Sequence, residues 1–214
     1  MNKTLIRTGN YSDFEQEIKN GKYLATENKI GNLISISGDR GKSFKFGFEG
    51  KVLSQLAPKL DFWKVWHNNI GKIDEEQNMR YYIHKYYHKV LSKVDVMELL
   101  KDETFPILLC YEEGQNFCHR HILAEYLNIR YGIGVNDITI EKDRNFSLFD
   151  NLYISNQNKY NGENKSKKII PNPRHQRIRQ ILLEVLREDL DNIQDKTFKT
   201  RLNKLLYSDF ERST

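Results

Sequence analysis

PILLCYEEGQNFCHRHILAEYLNIRY, residues 106–131, decides how this chain folds. Its first six residues, Pro106-Ile107-Leu108-Leu109-Cys110-Tyr111, form an unbroken apolar run, the pattern of a central strand covered on both faces. A polar stretch, Glu112 to Asn116, interrupts it. Ile122, Leu123, Tyr126, Leu127 and Tyr131 then recur at the spacing of one helix face. The chain therefore leaves a buried strand, turns through a short loop, and opens a helix at Cys118-His119-Arg120.

Upstream, Met79, Ile83, Tyr86, Tyr87, Val90, Leu91 and Val94 place an apolar stripe along a helix from Glu75 to Val94. Leu60, Trp63 and Trp66 suggest another helix after Pro58. Asn32-Leu33-Ile34-Ser35-Ile36-Ser37 is β-rich and ends at Gly38-Asp39-Arg40-Gly41, a strand followed by a glycine-punctuated loop. Thr4-Leu5-Ile6 reads as a short strand, and Ser12 to Ile18 as a helix with Ser12 and Glu15 as its capping pair. Val135 to Ile140 reads as one more strand. Strands alternating with helices indicate an α/β fold, three-layer, with a mostly parallel sheet flanked by helices over residues 1–150.

Beyond Asp150 the composition changes. Residues 151–172 are rich in Asn, Lys, Ser and Gly and read as a polar linker. Asn172-Pro173 opens a helix that carries Ile178, Ile181, Leu182, Val185 and Leu186, and a second carries Phe198, Leu202, Leu205 and Leu206. Residues 173–214 are thus expected to form a basic C-terminal helical appendage.

Composition excludes several classes. Of 214 residues 38% are apolar and 12% aromatic, enough for a core and too many for a disordered chain. No apolar run reaches the roughly 18 residues of a membrane span, and the first residues lack a secretory pattern. Two cysteines, Cys110 and Cys118, are too few for a disulfide framework, so the expected setting is a reducing one and the expected location the cytoplasm. A net charge of +5 is compatible with a polyanionic partner.

The chemistry concentrates where the strand meets the helix. A thiol acts only as thiolate, and a helix N-terminus beside His and Arg lowers its pKa. Cys118 has that setting. Arg120 is the expected anion clamp, His119 or His121 the proton carrier, and Glu112 or Glu113 the general base or ligand acceptor. Cys110, mid-strand, is expected to be buried and inert. The bland alternative makes Cys118 a small helix cap and leaves His119 merely packed. A phosphatase loop is excluded, because the arginine it needs six residues after its cysteine is Ala124 here. Zinc is conceivable through Cys118, His119 and His121, or through His84 and His88. Without Cys-x-x-Cys or His-Glu-x-x-His, however, neither metal nor cofactor is expected.

The Gly38–Lys42 loop lacks a Walker or dinucleotide pattern, yet Ser37, Arg40 and Lys42 stand where a strand-end loop would hold phosphate. Lys167, Lys168, Arg174, Arg177 and Arg179 form the expected nucleic-acid-binding segment. Three of these are arginines crowding the start of a helix whose dipole disfavours cations, which calls for an acidic partner.

The blocks Leu33–Ser37, Leu56-Ala57-Pro58, the Tyr82, Tyr86 and Leu91 helix, Leu108-Leu109-Cys110-Tyr111-Glu112 and Phe117-Cys118-His119-Arg120-His121 together resemble domain-of-unknown-function family 488 over about residues 1–141. The resemblance implies an α/β domain with Glu112, Cys118, His119 and Arg120 as signature positions and an unsettled activity. The chain departs from the family in having no proline in the loop after Ser35-Ile36-Ser37. Three functions follow as expectations: an enzyme acting on a nucleotide or on a base in DNA or RNA, a non-catalytic nucleic-acid binding module, or an interaction protein.

Overall fold

The computed structural model describes residues 5–112, 116–138 and 173–211. Strand β1 (Arg7–Asn10) runs through a 3-10 turn into the short helices α1 (Glu15–Lys19) and α2 (Ala25–Asn28). Strands β2 (Leu33–Ser35) and β3 (Lys51–Val52) follow, then helices α3 (Leu60–Asn69), α4 (Glu75–Lys89) and α5 (Val96–Leu99). Strand β4 (Ile107–Cys110), helix α6 (His119–Tyr131) and strand β5 (Asn136–Asp137) complete the sheet, and helices α7 (Pro173–Glu188) and α8 (Lys196–Glu211) end the description.

The sheet has five strands in the order β3-β2-β4-β1-β5, every pair parallel. Strand β4 sits at its centre, aligned Ile107 to Arg7 on one side and Ile107 to Leu33 on the other. All four of its residues are buried, as the unbroken apolar run requires. Its side chains alternate: Ile107 and Leu109 join Tyr11, Phe14, Ile18 and Phe48 on one face, while Leu108 points to the helical face with Ile34, Tyr86 and Ile122. Helices α3, α4, α6, α7 and α8 cover that second face; α1 and the loops around Tyr23, Phe44 and Phe48 cover the first.

The first strand is Arg7–Asn10, directly after the expected Thr4-Leu5-Ile6. It carries polar residues in a fully buried strand, and each makes a side-chain hydrogen bond. Arg7 donates to the Ile30 carbonyl, Thr8 Oγ1 lies 3.2 Å from Asp137 Oδ2, and Asn10 accepts from Asp13 N at 3.0 Å as a helix cap. Asn10 and Asp13, not Ser12 and Glu15, therefore form the capping box. Asn136–Asp137 realises part of the strand expected over 135–140; residues beyond 138 lie outside the described ones.

The C-terminal helices are part of the core. Ile178, Ile181, Leu182, Leu186, Phe198 and Leu202 are buried in the same cluster as Tyr126, Leu127 and Tyr87. The arginines at the start of α7 find their acidic partners within the protein. Arg174 reaches Glu75 at 3.1 Å, Arg177 pairs with Glu76, and Arg179 reaches Glu125 at 3.3 Å. Carboxylates on α4 and α6 thus offset the unfavourable placement of these cations at the positive end of a helix dipole. Among the described residues no helix is long and apolar enough to cross a membrane.

Candidate active site

Connections diverge between β2 and β4. Strand β2 hands the chain outward to the edge strand β3, whereas β4 hands it the other way, past β1 to β5. A parallel sheet opens a crevice at the C-terminal ends of two such strands, and ligands bind there. Ile36 and Ser37 leave β2 at this point; Cys110 ends β4, with Glu112 just beyond; Cys118 begins α6.

Four side chains meet in the crevice. Glu112 Oε2 lies 3.0 Å from the Cys110 sulfur and 3.0 Å from the Cys118 sulfur. His119 Nδ1 lies 3.5 Å from the first sulfur and 3.8 Å from the second. Its other nitrogen, Nε2, is 3.0 Å from the Ile36 carbonyl oxygen, which can only accept, so Nε2 carries a hydrogen and Nδ1 faces the sulfurs. Cys110, Cys118 and His119 are buried and Glu112 is partly exposed.

Local structure explains the convergence. Cys110 closes β4 and Glu112 follows it across a bend at Tyr111, which brings the carboxylate to 3.0 Å from the Cys110 sulfur. Cys118 occupies the N-cap of α6 in extended conformation, φ −148° and ψ 147°, yet its side chain makes no capping hydrogen bond. Its sulfur faces Glu112 and His119, so the helix-cap reading does not describe what this thiol does.

The electrostatics separate the two thiols. Burial pushes Cys110 well above the usual thiol range, and the neighbouring charge of Cys118 and Glu112 adds to this. Burial acts on Cys118 in the same direction but is outweighed by the hydrogen bond with Cys110 and by the positive charge of His119 and Arg120, so its pKa falls well below the usual value. Burial and the Cys118 thiolate push Glu112 up to about 7. His119 is raised: burial opposes its charged form, and the adjacent thiolate and Glu112 prevail. A thiol shifted down, a thiol shifted up, a carboxyl raised to about 7 and an imidazole raised above its usual value therefore share a small volume.

Arg120 supports this cluster from behind. Its guanidinium is fully buried, donating from Nε to Asp137 at 2.9 Å and from a terminal nitrogen to the Glu112 carbonyl at 2.5 Å. Asp137 also lies 3.0 Å from His121 Nε2 and is held far below the carboxylate range; burial opposes this, and His121 and Arg120 override it. Arg120 thus holds the Glu112 backbone directly and shares the buried Asp137 carboxylate with His121. Glu113 lies outside the described residues.

The loop after β2 closes on itself. Tyr11 Oη lies 2.7 Å from Ser35 Oγ and 2.8 Å from Ser37 Oγ; Asp39 accepts from Ser37 Oγ at 3.0 Å, Gly41 N at 3.0 Å, Ser43 N at 2.9 Å and Tyr111 Oη at 2.6 Å. Asp39 occupies the position a bound anion would take among these donors. Arg40 and Lys42 are exposed on the rim. Arg40 and Gly41 both have positive φ, 65° and 77°; a Cβ on Gly41 would stand 2.5 Å from Phe48 Cβ, so only glycine fits there.

An aromatic wall adjoins the cluster. Tyr86 lies against His119 with ring centroids 5.6 Å apart, and the half-buried Phe117 contacts Tyr82 at 5.3 Å and Trp66 at 5.6 Å. Of the expected site residues, Glu112, Cys118 and His119 come together, Arg120 stands behind them, and Ser37 lies one residue from the carbonyl that orients His119. Arg174, Arg177 and Arg179 lie on α7, engaged with glutamates. Lys167 and Lys168 lie outside the described residues. Sequence reasoning passed over Asp137 and expected Cys110 to be buried and inert; Cys110 is buried, with its sulfur 3.0 Å from Glu112.

Fold and cluster define a parallel α/β protein with a thiol-carboxylate-imidazole centre at the carboxyl edge of its sheet. Residues 32–131 match a family model described as "DUF488-N3a: Active DUF488-N3 subclade". Over this segment, from β2 through α6, the chain is similar to domain-of-unknown-function family 488. The chain matches no curated protein and no solved structure.

Proposed function

We propose that this protein is an enzyme acting on a nucleotide or on a base in nucleic acid, with Cys110, Glu112, Cys118 and His119 as its chemical centre. The observation that carries the reading is the Glu112 carboxyl, partly exposed and pushed up to about 7, within 3.0 Å of a thiol with a depressed pKa. A carboxyl that titrates near neutrality can both give and take a proton at the working pH of a cell. Phe117, next to Cys118 in the chain, and Trp66 against it are half-buried and offer flat apolar surface of the kind on which a base stacks. The description of the matched subclade as active agrees with a catalytic role.

The test incubates the full chain with nucleotides and with single- and double-stranded DNA and RNA oligonucleotides, reading products by mass spectrometry. Conversion by the wild type that Glu112→Gln slows by about 10²- to 10⁴-fold is expected, the usual share of a general acid–base group. No conversion of any member of the panel, or conversion unchanged in Glu112→Gln and Cys118→Ser, overturns the reading. Binding without conversion would favour the non-catalytic module instead.

A further inference from the structure

We infer that Cys110, Cys118, His119 and Glu112 form a zinc site. The inference deepens the reading of this centre, because it assigns the Cys118 thiolate to a metal ion instead of to direct attack on substrate.

Four observations carry it. The first is the donor set: among the described residues, one group of His, Cys, Asp and Glu side chains could hold a metal, and its four ligand atoms all lie within 4.8 Å of one another. A tetrahedral zinc with Zn–S near about 2.3 Å and Zn–N or Zn–O near about 2.0–2.2 Å sets its ligand atoms about 3.3–3.8 Å apart. The His119 distances of 3.5 and 3.8 Å fall in that range, and the two contacts of 3.0 Å from Glu112 need only a small outward shift. The second is chemistry: two thiols, one imidazole and one carboxylate in a compact arrangement suit zinc better than the oxygen-seeking calcium or magnesium.

The third observation is the orientation of His119. Ligating histidines donate their second ring nitrogen to a carbonyl or carboxylate, which fixes the ring and its tautomer. His119 Nε2 donates to the Ile36 carbonyl at 3.0 Å, which leaves Nδ1 aimed at both sulfurs. The fourth is burial. Cys110, Cys118 and His119 are buried together with the Glu112 carboxyl at their edge, and a divalent cation would compensate a carboxylate and thiolates held there. Arg120, beside the cluster with its own charge set against Asp137, holds the Glu112 backbone from behind.

Glu112 is the one ligand with solvent exposure, so it is the exchangeable vertex. Its displacement from the ion would admit a water or a substrate heteroatom while leaving the carboxylate beside it as base. Cys110, Cys118 and His119 are the permanent ligands.

Zinc or cobalt(II) is added to reduced, chelator-treated full-length protein, excess metal is removed by desalting, and bound metal is measured by inductively coupled plasma mass spectrometry. About one zinc per chain is expected, with cobalt giving the visible bands of a tetrahedral ion and a near-ultraviolet thiolate-to-cobalt band. Cys110→Ser should reduce the thiolate band by about half, and Glu112→Gln should retain the metal with at least ten-fold weaker affinity. Because the cysteine variants can fail to fold, protection of Cys110 and Cys118 from iodoacetamide by zinc is read in the wild type. No zinc retained, no protection of either thiol, or an isolated Cys110–Cys118 disulfide that takes up no metal after reduction would overturn the inference. Zinc uptake by a protein that converts no nucleotide supports the site and removes the enzymatic reading. Conversion by metal-free protein in the presence of chelator, together with no zinc retained on metal addition, overturns the site and leaves that reading intact.

Discussion

Glu112 holds its proton up to about 7, against a usual 4.5, because burial and the neighbouring Cys118 charge disfavour the carboxylate. A carboxyl whose folded pKa is raised contributes stability in full below its unfolded pKa and loses that contribution as pH rises through the folded value. In chelator-treated protein, the stability of the wild type relative to Glu112→Gln should therefore fall between about pH 4.5 and 7. The change should be on the order of 1–3 kcal/mol, since one pKa unit corresponds to about 1.4 kcal/mol. Urea unfolding at a series of pH values measures it; a pH-independent difference between the two proteins would mean that Glu112 titrates normally. Arg120 and Asp137 are almost wholly buried, and removing one member of a buried pair strands the other. Arg120→Met should cost about 3–5 kcal/mol in chemical denaturation. Arg120→Lys should not restore the loss, because one ammonium cannot reproduce both the Asp137 and the Glu112 carbonyl contacts. A loss under about 1 kcal/mol would show that the pair is dispensable.

At the scale of elements, α7 separates two kinds of contact. Its apolar side buries Ile178, Ile181, Leu182 and Leu186, and its polar side sets Arg174 and Arg177 on the glutamates of α4. Partly exposed ion pairs are screened by solvent and contribute little, whereas a buried leucine is lost together with the space it filled. Leu182→Ala should accordingly destabilise by about 2–5 kcal/mol and Arg177→Ala by less than about 1 kcal/mol, both read from urea midpoints. Equal losses would mean that the pairing of α7 with α4 is electrostatic at root. The same geometry bears on the expected nucleic-acid contact. Arg174, Arg177 and Arg179 already neutralise carboxylates, so phosphate contacts by these residues would have to compete with Glu75, Glu76 and Glu125.

For the whole molecule, the boundary suggested by composition at residues 151–172 does not separate two independent cores. Helices α7 and α8 join one apolar cluster with α4 and α6, through contacts such as Phe198 against Tyr126 at 6.3 Å. A chain ended at residue 150 should lose cooperative thermal unfolding and near-ultraviolet circular dichroism, because it leaves the outer faces of α4 and α6 bare. A cooperative transition matching that of the full chain would mean that the helices dock without stabilising the sheet domain. The sequence by itself determined the strand at Pro106 to Tyr111, a helix starting at Glu75 (expected to reach Val94, and ending at Lys89), the helix that follows Cys118, and the α/β class, because those features follow from local periodicity and unbroken apolar runs. It pointed to Glu112, Cys118 and His119 because they are neighbours in the chain. Cys110 as their partner, Ile36 as the carbonyl that orients His119, and Asp137 as the buried counter-ion of Arg120 were decided by tertiary structure alone. Parallel pairing brings β2, β4 and β1 side by side across about a hundred residues of chain, and no local pattern records which side chains then meet.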